Sequence, residues 1–284
     1  MNRRLTAALS TALLLTGLGL GACAPQEEPA PSARAGCGKA DLRLVTKGTF
    51  TIGTDRPAYE PWFSADDPAN GKGFESAVGY AVAQRLGFAR ADVTWATVPF
   101  NNAIAPGPKK FDVDINQVSI SPERRNAVDF SSGYYDVRQA VIALETGRLA
   151  TATTVADLRG AKLGAQVGTT SLEVIENVIK PTTAPAVYQR NDLAKTALKN
   201  RQVDGIVVDL PTAFYITGAE VPEAKIVGQF PGGAAPEQFG LVLDKGSPLT
   251  SCVSRAVDSL RADGTLAELE QQWLADVASA PVLR

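Results

Sequence analysis

From residue 49 onward this 284-residue chain alternates short β-rich runs with longer stretches whose apolar residues return every three or four positions. Strands are expected at 49–53, 92–98, 111–115, 162–166 and 205–208. Helices are expected at 74–86, 171–179, 192–200, 247–261 and 266–274, with Gly87 stopping the first and Pro211 opening another. Such alternation specifies an α/β fold with mainly parallel sheets. No repeat of 20–50 residues occurs, so solenoids and propellers are not expected. Two β-rich segments, 137–144 and 238–243, lie about a hundred residues apart and are flanked by loop signals. They read as crossings between two halves. The first lobe is then discontinuous, residues 38–136 and 238–284. The second, residues 137–237, is inserted into it, with a cleft between them where small ligands bind.

The N-terminus reads as an address. Arg3 and Arg4 precede an uncharged apolar stretch rich in Ala and Leu, and small residues lead to Cys23, so residues 1–22 form an export signal. Leu20-Gly21-Ala22-Cys23 resembles a bacterial lipobox, which implies cleavage before Cys23 and lipidation of its sulfur. Several acyl chains on one residue make a stable anchor. Residues 23–37 carry three prolines and little to bury, and form a flexible tether. A stretch of that length reaches at most ~45 Å. Cys37 and Cys252 remain. In an oxidising compartment they read as a disulfide between the start of the domain and a C-terminal helix, the alternative being two unrelated thiols.

Composition removes whole classes of function. The chain has no His, which excludes Ser-His-Asp and Cys-His catalysis and HExxH zinc sites. No cofactor and no metal are expected. The 28 Lys and Arg face 30 Asp and Glu, and loss of the signal's two arginines leaves 26 against 30, a poor match to nucleic acid. No run of 18 apolar residues follows residue 22, so no later membrane-crossing helix is expected. No GxxxxGK[ST] occurs, so ATP is not hydrolysed here by that route.

Five segments carry a resemblance. They are GTDRPAYEPW at 53–62, NGKGFESAVGYAVAQRLG at 70–87, FDVDINQVSISPERRNAVDFSSGYY at 111–135, VADLRGAKLGAQVGTTS at 155–171 and QVDGIVVDLPTAFY at 202–215, followed by RADGTLAELEQQW at 261–273. In this order the chain resembles the extracellular solute-binding proteins of family 3, the amino-acid-binding components of ABC importers, over about residues 42–276. The resemblance implies a two-lobed, periplasmic-binding-protein-like (type II) fold hinged on two crossing strands. It implies an exported, lipid-anchored monomer that is no enzyme, captures an amino acid and delivers it to a membrane permease with its ATPase.

A zwitterionic amino acid needs a carboxylate clamp, an ammonium partner and walls. By the resemblance Arg124 is the clamp, since a guanidinium offers paired donors to a carboxylate, with Ser119 beside it. Thr169 and Thr170 follow Gly168 at a helix start, where free amides attract an anion; plain capping is the alternative, and the two are compatible. Asp209, at a strand end, pairs with the ammonium, or else caps the helix opened by Pro211. Tyr59, Trp62 and Phe100 are the expected aromatic walls, unless some belong to a core. Asp55 and Gln117, with Asn101 and Asn102, are polar groups able to read a side chain, which favours a polar ligand. Two rivals stay open: a sensor module for a membrane receptor, and an enzyme resembling cyclohexadienyl dehydratases on the same fold.

Overall fold

The computed structural model describes residues 36–232, 235–274 and 280–284. The expected signal, Cys23 and the tether as far as Ala35 lie outside the described residues. In chain order the elements begin with β1 (Phe50–Thr54), α1 (Phe74–Arg85), β2 (Val93–Thr97), α2 (Phe100–Ile104) and β3 (Val113–Asp114). Next come α3 (Pro122–Arg125), β4 (Val128–Val137), β5 (Gln139–Leu144), β6 (Leu163–Gln166) and α4 (Thr170–Val174), which continues as a π turn over Ile175–Ile179. β7 (Ala186–Tyr188), α5 (Asn191–Lys199), β8 (Gly205–Asp209) and α6 (Leu210–Tyr215), widened likewise over Ile216–Glu220, follow. The chain closes with β9 (Ala224–Gln229), β10 (Glu237–Asp244), α7 (Thr250–Ala262) and α8 (Thr265–Leu274).

These strands build two five-stranded sheets, ordered β2-β1-β3-β10-β4 and β7-β6-β8-β5-β9. Each has a parallel half and an antiparallel half. β1 runs parallel to β2 and β3, while β10 is antiparallel to β3 and β4. β6 runs parallel to β7 and β8, while β5 is antiparallel to β8 and β9. β4 ends at Val137 in the first sheet and β5 begins at Gln139 in the second, so the chain crosses at Arg138. It returns between Gln229, in β9, and Glu237, in β10. The fold is thus two-lobed α/β with a hinge of two crossing strands.

Helices cover the sheets because their apolar faces demand it. α1 buries Phe74, Val78, Val82 and Ala83 against lobe 1's sheet, and α7 buries Cys252, Val253, Ala256, Val257 and Leu260. Gly73, which precedes α1, has φ 93°, and a Cβ there would lie 2.5 Å from the Trp62 carbonyl oxygen, so glycine is required where the chain turns into the helix. Cys37 and Cys252 form a disulfide with Cα atoms 5.5 Å apart, which staples the start of the domain to α7.

One boundary differs from expectation. Residues 238–284 were expected in lobe 1, yet 280–284 lie on lobe 2. Gln229 donates its N–H to the Pro281 carbonyl at 2.7 Å and accepts from Leu283 N at 2.9 Å, so the tail pairs with the open edge of β9. Leu283 is buried, and Gly228 leaves the room: a Cβ there would come within 2.8 Å of its Cγ. An unpaired sheet edge is a liability, and this tail covers it. Strands β4, β7 and β9 had no counterpart in the sequence reading. Among the described residues no helix is long and apolar enough to cross a membrane.

Candidate functional site

The lobes meet along a cleft on which the carboxyl ends of the parallel strands open. Several hydrogen bonds span it. Tyr59 Oη donates to Asp192 Oδ1 at 3.0 Å and Trp62 Nε1 to Thr212 Oγ1 at 2.9 Å. Arg124 Nη2 donates to the Gly168 carbonyl at 2.9 Å, and the Ser119 and Thr170 hydroxyls lie 3.3 Å apart. Gly168 itself has φ 75°, and a Cβ there would run into the side-chain oxygen of Asn101 from the facing lobe. Inside the seam is a partly open cavity lined from both lobes.

Nine of the ten expected ligand-contact residues line that cavity: Asp55, Tyr59, Phe100, Gln117, Ser119 and Arg124 from lobe 1, and Thr169, Thr170 and Asp209 from lobe 2. Trp62 is the exception and corrects the expectation of an aromatic wall. It is 0% exposed, sealed edge-on among Phe74, Tyr135 and Phe239, and its indole N–H is spent on Thr212. Its area makes it core. Asn116, Gln166, Ser171 and Asn191 also line the cavity and were missed. Asn116 and Gln166 stand at the carboxyl ends of their strands, a position that itself marks binding in α/β sheets.

Arg124 sits in one turn of helix capped by Ser121, whose hydroxyl accepts from the Arg124 N–H at 3.2 Å. Its Nη1 donates to the Ser119 carbonyl at 2.6 Å, and its guanidinium lies 5.7 Å from the centre of the Phe100 ring. The residue is 8% exposed, and burial lowers its pKa from the ordinary value, opposed by Glu173, Glu237 and Asp209. A buried cation with unused donors beside an empty cavity is suited to an anion. Across from it, Thr169 Oγ1 accepts from Leu172 N at 3.2 Å, so it both caps α4 and faces the cavity.

Asp209 does not cap α6. Its Oδ1 instead accepts from Gln139 Nε2 at 2.7 Å. Burial first, and Glu237 second, push its carboxyl up to about 8. Asp55 is raised as well, chiefly by burial, against the pull of bonds from Arg56 N and Phe100 N. Behind the cavity wall Glu75 accepts from Gln117 N at 2.7 Å, from Gln117 Nε2 and from the Tyr134 hydroxyl. This grip holds Gln117 in the left-handed region, φ 49°. Burial raises Glu75 to about 7 despite those bonds. The site therefore opposes one fixed cation, on lobe 1, to a carboxyl on lobe 2, both lining one cavity.

The family model for bacterial extracellular solute-binding proteins, family 3, matches residues 50–276. This chain belongs to that family. The member resembles the L-cystine-binding protein TcyJ of Escherichia coli K12, with 27% identity over 238 residues, 83% of this chain and 86% of the relative. It resembles a probable histidine-binding protein of Campylobacter jejuni at 30% over 220 residues, 76% of this chain and 81% of the relative. Among solved structures, an ancestral arginine-binding protein bound to arginine aligns with TM-score 0.67 and 29% identity, over 80% of this chain and 98% of that one.

Proposed function

We propose that this solute-binding protein is the substrate-binding component of an ABC importer and captures a polar amino acid in the interlobe cleft. The observation that carries the reading is the opposition of Arg124 and Asp209 across one cavity. Arg124, with Ser119 and the Thr169–Thr170 helix start, takes the carboxylate. Asp209 takes the ammonium. Tyr59 and Phe100 flank the side chain, and Asp55 and Gln117 read its end. Each ligand charge needs its partner, because an unpaired buried charge costs several kcal/mol. The relatives named for cystine, histidine and arginine support a polar ligand.

Capture works by differential affinity. A ligand that touches both lobes favours the closed state by the interactions it makes only there. The closed protein then docks on its permease, and a separate ATPase drives transfer. We assign lobe 1 to 38–136 with 238–274 and lobe 2 to 137–237 with the tail 280–284. The lipobox supports a monomer anchored through Cys23 at the outer face of the cytoplasmic membrane. The test is a thermal-shift screen of the purified protein against the twenty amino acids and L-cystine. A ligand at 100 times its dissociation constant adds about 2.7 kcal/mol and raises the melting temperature measurably. No shift with any of them would sink the reading.

A second reading rests on Asp209. A carboxyl pushed up to about 8 is an available acid at neutral pH, which a dehydratase of this fold requires. Incubation with prephenate or arogenate separates the two: aromatic product selects the enzyme, and its absence selects the binding protein.

A further inference from the structure

Glu237 opens β10 at the return crossing, Gln139 opens β5 at the outward crossing, and Asp209 ends β8. Their side chains converge at the hinge side of the cleft. Gln139 Nε2 donates to Asp209 Oδ1 at 2.7 Å and lies 3.3 and 3.4 Å from the two Glu237 oxygens. Gln139 Oε1 accepts from Ser171 Oγ at 2.6 Å, which commits the amide's NH2 to the acids. Glu237 Oε1 also accepts from Ser119 Oγ at 2.5 Å. One amide thus serves two carboxyl groups, one at the end of β8 and one at the return crossing.

Asp209 is buried beside the Glu237 carboxylate with one amide between them, and a carboxyl so placed retains its proton more readily than one in water. The surroundings do not cancel this. Arg124 on α3 is the cation that pulls Asp209 down, but it ranks behind burial, Glu237 and Glu75 of α1, all of which push it up. Tyr134 and Tyr135 on β4 face the same group with hydroxyls held above their ordinary range, first by burial. Thr170 on α4 contributes a neutral hydroxyl, 3.3 Å from Gln139 Nε2.

We propose that Asp209, set beside Glu237 at the hinge, holds a proton in the unliganded cleft and gives it up for the ammonium group of the incoming amino acid. The inference rests on the amino-acid reading of the cleft and adds Glu237 to the groups that recognise the ligand. The ligand nitrogen arrives with its own protons. Asp209 goes from neutral to one negative charge, the ammonium brings one positive charge, and the displaced proton leaves to water. Capture is therefore linked to pH. Below the Asp209 titration each binding event releases up to one proton, and affinity rises by up to about tenfold per pH unit. A neutral isostere lacking the ammonium gains nothing from the exchange.

The test has two arms on the purified protein. Carbon-13 NMR of the side-chain carboxyls follows the unliganded protein from pH 5 to 9. The expected result is Asp209 titrating near or above neutrality. Its ionising in the ordinary carboxylate range would overturn the proposal. Calorimetry with L-arginine, L-histidine, L-glutamine and L-cystine, in phosphate and in Tris, then counts protons from the difference in heats. The expected result is about one proton released at pH 6.5, with tighter binding at pH 8 than at pH 6 and a flattened profile in Glu237→Gln. Binding with no proton released would refute the exchange even if Asp209 holds its proton. If none of the four bound while the NMR showed the retained proton, the amino-acid reading would fall and the exchange with it, and the proton on Asp209 would stand. The wild-type arms need no variant to fold.

Discussion

In lobe 1 the sheet is backed by rings. Trp62, Phe74, Tyr134, Tyr135 and Phe239 meet with centroids 5.4 to 6.3 Å apart. Lobe 2, with an equivalent sheet order, is filled on both faces mostly by Ala, Val, Ile and Leu. The disulfide is also lobe 1's. Rings bring large area and few rotors, and pack at fixed angles. The stiffer lobe is the one that presents Asp55, Tyr59, Phe100, Gln117 and Arg124. The aliphatic lobe brings hydroxyls, helix-start amides and Asp209. The difference teaches a division of labour: in the proposed reading, lobe 1 holds the shape of the ligand, and lobe 2 closes on it with polar atoms.

The largest expected effect tests which lobe grips first. Arg124→Ala should weaken amino-acid binding by more than about 100-fold, since truncating one member of a buried charge pair costs roughly 2–5 kcal/mol. Calorimetry reads the loss, and circular dichroism should show the unliganded fold intact. Normal binding by this variant would break the comparison.

The staple comes next. Replacing Cys37 and Cys252 together by Ser should cost about 4 kcal/mol, because the bridge closes a long loop, with a sequence separation of 215. Hydrogen exchange should locate the loss in α7 and lobe 1's sheet and leave β6 and β8 protected. Equal loosening of both lobes would deny lobe 1 its special rigidity.

A smaller effect separates the lobes by pH. Glu75 is buried in lobe 1 and raised to about 7 from an ordinary 4.5. The folded state therefore binds a proton more tightly than the unfolded chain. Its contribution is complete below pH 4.5 and is lost as pH rises through about 7, amounting to about 3 kcal/mol. Urea denaturation should show lobe 1 weakening over that window, and Glu75→Gln should remove that share of the slope while the share from Asp209 in lobe 2 remains.

The smallest effect lies on the seam. Trp62→Phe keeps an aromatic ring in lobe 1's core but leaves the Thr212 hydroxyl without its donor. The cost should be about 1 kcal/mol, most of it to the closed form, read as a several-fold weaker affinity and a larger radius of gyration by solution scattering.

Much of this was legible because local chemistry and tertiary structure agreed. α1 was readable because Phe74, Val78 and Val82 share a face and Gly87 follows. β8 was readable because Gly205–Asp209 is a short apolar run between turn signals. β4 was not, because Ser131, Ser132 and Gly133 interrupt its pattern. They are tolerated because Ser131 Oγ accepts the Leu241 N–H at 3.0 Å across the sheet. In the site, Arg124 and Asp209 carry charges whose burial demands a purpose, so motif and chemistry pointed the same way. Trp62 misled because an aromatic residue near a cleft serves a wall or a core equally well from sequence. Gln139 was invisible for a different reason. It stands 98 residues from Glu237, and its meaning exists only where the two crossing strands bring them together.

Gly168 has a consequence for how such a clamp is tuned. Its bare α-carbon is where the jaws touch, opposite Asn101. How far they shut is set by the absence of one methyl group, so bulk at that spot acts as a doorstop, lowering the grip without altering any atom that handles the cargo.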